Sequence, residues 1–79
     1  MSDSALILFA HGARDPAWAG PFQRLQKLTQ ASLPGVRVEL AFLEFLSPNL
    51  PTMVQQLVDE THPNPVTKIT VVPIFLGQG

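Results

Sequence analysis

Seventy-nine residues allow one small domain. A domain of that size buries only about 60% of the surface its unfolded chain exposes, yet 46% of this chain is apolar and 14% charged. The net charge of −1, with Lys and Arg scattered, leaves no basic stripe to neutralise phosphates and argues against a nucleic-acid partner. The absence of cysteine removes disulfides, thiol catalysis and thiolate metal sites.

Typical domains carry about 25% charged residues, so this chain has little polar surface to spare. It is expected to work within a larger assembly, either as an oligomer or as a piece of a longer domain. The opening MSDSALILFA has no positive start or cleavage-like site, and its apolar run is too short to span a bilayer. A soluble, cytoplasmic protein with no membrane partner is the expectation.

Residues 5–10, ALILFA, form a continuous apolar run, as in a strand covered on both faces. HGARDP follows, a loop by its Gly and its Asp-Pro pair. Trp18, Phe22, Leu25 and Leu28 then recur at helical spacing, with Gln23, Arg24, Gln26, Lys27 and Gln30 on the other face. Pro21 sets the regular helix to start near Gly20, and LPG at 33–35 ends it.

Residues 36–43, VRVELAFL, form a second strand. Its first half alternates apolar and charged residues, the pattern of an edge strand with one wet face. Ser47 is the expected N-cap of a second helix, with Pro48 at its first position. Leu50, Met53, Val54, Leu57 and Val58 make its apolar stripe. THPNP at 61–65 breaks it. Residues 67–76, TKITVVPIFL, are the third strand, apolar on both faces, with Pro73 unable to donate a ladder bond.

Strand, helix, strand, helix, strand implies an α/β fold with a parallel sheet and right-handed crossovers. With the wet second strand at an edge, the order is 2-1-3 and the layers are three. Ligands in such sheets bind beyond the carboxyl ends of the strands.

At those ends stand His11 after the first strand, Glu44 after the second, and Gly77, Gln78 and Gly79 after the third. Neighbouring strands lie about 4.8 Å apart, so an imidazole and a carboxylate converge on one small object. The pair suits a divalent metal or proton transfer. Plainer roles stay open. His11 could be a loop residue bonded to a backbone carbonyl, and Glu44 a charge near the start of the second helix. Arg14 and Asp15 could form a loop ion pair with Asp15 as N-cap, or Arg14 could meet an acidic substrate. His62 reads as a charge at a helix C-terminus, Trp18 as core or interface. GQG lacks the spacing of a dinucleotide loop.

HGARDPAW, AFLEFLSPNL and VVPIFLGQG, in that order, resemble the small form of the CbiX/SirB family, the sirohydrochlorin chelatases of cobalamin and siroheme synthesis. The resemblance implies the flavodoxin-like chelatase fold. It also implies insertion of Co²⁺, or alternatively Fe²⁺ or Ni²⁺, into a modified tetrapyrrole, with the metal as substrate and no organic cofactor. His11 would be metal ligand and proton acceptor, and Glu44 would bind metal or take the pyrrole protons. Arg14 would meet substrate carboxylates, and Phe45, Leu46, Gly77 and Gly79 would line the macrocycle site. The family pattern continues past a glycine-rich turn to a second metal-binding histidine, so the resemblance makes this an incomplete version of the domain, expected to pair as a homodimer.

Three other functions compete. A partial chelatase fold could hold metal or tetrapyrrole without turnover. A histidine phosphatase also places histidine-glycine after its first strand, but with an arginine just before it, where this chain has Ala10. A phosphate or nucleotide binder could use helix N-termini.

Overall fold

The computed structural model describes residues 3–59 and 65–74. The elements run β1 (Ser4–Ala10), a 3-10 turn (Pro16–Trp18), α1 (Ala19–Ser32), β2 (Arg37–Phe42), α2 (Leu50–Val58) and β3 (Lys68–Ile74). All strands are parallel, in the order β2-β1-β3. The α/β class and the 2-1-3 sheet stand as expected. Among the described residues no helix is long and apolar enough to cross a membrane.

The pleat of β1 divides the core. Ala5 and Ile7 join Ala41, Met53, Leu57 and Val66 in a buried cluster under α2. Ala10 meets Phe22 and Phe42 on the α1 side. A side chain pointing to each face alternately is what period two requires, and an apolar run satisfies both layers at once.

The helices depart from the sequence reading in two ways. The second begins at Leu50, not beside Ser47: Asn49 is the N-cap, its side chain accepting from the Thr52 N–H at 2.9 Å, with Pro51 in the first turn. Residues 43–49 are used instead to fold back on β2, where the Phe42 N–H donates to the Pro48 carbonyl. The first helix keeps its limits, but its apolar stripe is only partly its buried face. Phe22 is buried, while Leu28 is 63% exposed.

Gln26 and Gln30, expected on the wet face, turn to β2. Gln30 donates to the Val36 carbonyl at 2.7 Å and accepts from the Val38 N–H at 2.9 Å. Gln26 donates to the Val38 carbonyl at 2.6 Å. An edge strand has backbone groups without a ladder partner, and these two amides supply it, since each carries both donor and acceptor.

The third strand also differs from expectation. It runs Lys68–Ile74 and is largely exposed, with Val71 and Val72 open to solvent. Its apolar pattern reads as two covered faces, but both helices pack towards β2, and among the described residues β3 pairs on its β1 side alone.

Candidate metal-binding and proton-transfer site

Past the carboxyl ends of β1 and β2, two backbone hydrogen bonds tie the following loops together. The Leu43 N–H donates to the Ala10 carbonyl at 2.9 Å and the Glu44 N–H to the His11 carbonyl at 3.0 Å. His11 and Glu44 are thereby held side by side, and His11 Nε2 lies 3.2 Å from Glu44 Oε1. Both side chains are about half exposed, so the pair faces solvent rather than the core. Neither plainer reading survives: the described partner of the His11 ring is a carboxylate, and Glu44 sits six residues before the helix it would have charged.

An ionised carboxylate only accepts. With Glu44 ionised, Nε2 is therefore the donor, and in the neutral ring Nδ1 would then carry the lone pair. Two atoms bound to one tetrahedral ion at about 2.0–2.1 Å stand roughly 3.3 Å apart. The His11–Glu44 separation already has that span, so taking up an ion would require the two groups to turn towards it but not to move apart. Among the described residues no group of three or more His, Cys, Asp or Glu forms a metal-holding cluster. As a candidate site, the pair offers two donors that could hold an ion.

A further residue, singled out by no sequence motif on chemical grounds, makes the approach possible. Gly12 has φ +104°, and a Cβ there would lie 1.8 Å from the Glu44 carbonyl oxygen. Only glycine fits both that conformation and that contact. The signal in the sequence was a glycine directly after a strand-terminal histidine.

On the other side of Glu44 the chain turns sharply. The Leu46 N–H donates back to the Glu44 carbonyl at 2.8 Å across Phe45, whose φ is +71°. This is a γ-turn of the rarer, strained hand. It leaves the Phe45 ring exposed, and the Arg14 guanidinium carbon sits 5.1 Å from its centroid, a cation–π distance. Asp15 does not pair with Arg14: its carboxylate N-caps the 3-10 turn, accepting from the Ala17 N–H at 2.9 Å.

Of the expected substrate contacts, Arg14 and Phe45 come together beside Glu44. Leu46 instead packs on the Ala10, Phe22 and Phe42 cluster and lines a separate groove with Ser47, Pro48 and Met53. Gly77, Gln78, Gly79 and His62 lie outside the described residues. A second cleft, about 200 Å³, opens beside His11 and is lined by Gly12, Ala13, Trp18, Phe22 and Ile74. Of the two roles expected for Trp18, core or interface, its 48% exposure excludes the core: the 3-10 turn lifts it to the cleft mouth.

No curated protein matches the chain. A solved structure, that of a cobalamin (vitamin B12) biosynthesis CbiX protein from Marinobacter aquaeolei VT8, is similar at 33% identity and a TM-score of 0.70, over 96% of this chain and 57% of that one. This chain thus spans a little over half the length of that protein. The CbiX family model matches residues 5–79, and with sequence and fold in agreement over nearly its whole length, the chain belongs to the CbiX family.

Proposed function

We propose that this chain carries part of a chelatase site that inserts a divalent ion into a tetrapyrrole of the sirohydrochlorin type, in cobalamin or siroheme synthesis. Co²⁺ is the first choice of metal substrate, with Fe²⁺ or Ni²⁺ as alternatives. The observation that carries the reading is the 3.2 Å approach of His11 Nε2 to Glu44 Oε1 on the rim of the sheet. The sequence resemblance and the cobalamin-related neighbour support the choice of substrate class.

The chemistry asks for two things. A dication must be held loosely enough to leave, and two pyrrole N–H protons must depart as it enters the macrocycle. One imidazole and one carboxylate hold an ion weakly and leave positions open for water and for pyrrole nitrogens. As the ion passes to the macrocycle, each side chain becomes free to accept one proton, and the charge balances: two positive charges in, two protons out. Arg14 stands ready for a substrate carboxylate, which a guanidinium grips with two parallel N–H groups.

The same proposal includes a pair of identical chains. Gln26 and Gln30 occupy the β2 edge at Val36 and Val38, and among the described residues the apolar, exposed β3 edge is the surface we assign to such pairing.

A second reading rests on the donor count. Two ligands among the described residues, in a chain spanning 57% of its neighbour's length, also suit a module that binds metal or tetrapyrrole without turnover. One experiment separates the two. The visible spectrum of metal-free sirohydrochlorin is followed after adding Co²⁺, with wild type, His11→Ala or Glu44→Gln. Protein-dependent acceleration lost in both variants is the expected result. Binding of the tetrapyrrole without acceleration selects the binding module, and no binding at all overturns both.

A further inference from the structure

We infer that Trp18 is a stacking platform for one outer ring of a planar conjugated ligand whose centre addresses His11. The inference rests on the tetrapyrrole reading and adds a binding residue to it.

Four observations converge on Trp18. Trp18 lines the same cleft as His11, so one ligand seated there meets both residues. Apart from the imidazole and the indole N–H, the lining side chains are apolar or absent, which suits the face or edge of an aromatic system. The cleft volume of about 200 Å³ is below the roughly 300–1,000 Å³ of pockets that enclose a whole drug-sized ligand. It therefore admits an edge of a macrocycle and leaves the remainder over the open rim where Glu44 stands.

The fourth is support from beneath. Trp18 lies 6.3 Å, centroid to centroid, from Phe22, and Phe22 meets Phe42 edge-on at 5.4 Å. Phe22 and Phe42 are buried at 6% and 4% exposure. The indole is thus braced on the core through its inner part while nearly half of it faces solvent. An exposed tryptophan held in place loses little conformational freedom when a flat ligand settles on it, and aromatic rings favour such offset contact.

The chain has one tryptophan, so its intrinsic indole fluorescence reports this position alone. The probe is a metal-free porphyrin bearing carboxylate side chains, titrated without added metal and followed by indole emission and by the porphyrin Soret band. The expected result is saturable quenching in wild type, Soret-detected affinity about tenfold weaker in Trp18→Ala, and near-wild-type affinity in Trp18→Phe.

Soret-detected binding without indole quenching, or with equal affinity in Trp18→Ala, overturns the platform and leaves the chelatase proposal standing. No Soret-detected binding overturns both. A tryptophan emission that shifts with protein concentration in the absence of porphyrin, in step with sedimentation mass, overturns the platform in favour of a contact between copies.

Discussion

Gly12 and Glu44 touch backbone to backbone: a methyl group on Gly12 would stand 1.8 Å from the Glu44 carbonyl oxygen. The site therefore depends on a residue with no side chain. His11 and Glu44 meet because the chain segments carrying them approach more closely than any other residue at position 12 allows.

Gly12→Ala tests that dependence. The substitution adds a clash that loop separation must relieve and a φ of +104° that alanine rarely adopts. Strained backbone of this kind costs about 1–3 kcal/mol, and the clash adds to it. A lower urea midpoint is expected, together with Co²⁺ affinity reduced at least as far as in His11→Ala under conditions where the variant remains folded. Unchanged metal binding by calorimetry would show that the close approach is dispensable.

The sheet was legible from the apolar run of β1 and the half-alternating β2, because burial on two faces or one leaves a direct mark on residue choice. The meeting of His11 and Glu44 was legible for a related reason: each follows one of two neighbouring parallel strands, so the two share a rim. The start of α2 was not. Ser47 and Asn49 are both good caps, and the choice between them is made by the loop folding back on β2, a tertiary contact with no local signature. The exposure of β3 was hidden too, since an apolar strand reads the same whether or not something covers it. Gln26 and Gln30 were misread because period alone cannot distinguish an amide that faces water from one that faces an open strand edge.

Those two amides give a second prediction. Gln30 serves both the Val36 carbonyl and the Val38 N–H, so Gln30→Ala leaves two strand groups without their partners. A partly buried polar group stripped of its partner costs about 1–3 kcal/mol, a large share of the margin in so small a domain. Urea unfolding should register that loss. Gln30→Glu should fail to rescue it, because a carboxylate cannot donate to Val36. The opened edge should also raise self-association in sedimentation. A Gln30→Ala variant as stable as wild type would mean that water replaces the amide at no cost.

Arg14 supplies the third. Its guanidinium rests over Phe45, at the turn that follows Glu44, so two roles are open to it: holding the turn, or gripping a substrate carboxylate. The contact with Phe45 is exposed and worth about 0.5–1 kcal/mol, too little to fix the turn alone against the hydrogen bonds at Ala10, His11 and Glu44. Arg14→Ala is therefore expected to leave Co²⁺ affinity within about twofold while weakening a carboxylate-bearing tetrapyrrole about tenfold, as loss of a charge-assisted pair does. The salt dependence of tetrapyrrole binding should flatten in the same variant. Arg14→Lys, which keeps the charge but not the planar fork, should recover the salt dependence and only part of the affinity. Equal loss of metal and tetrapyrrole binding would instead assign Arg14 to positioning Glu44 through Phe45.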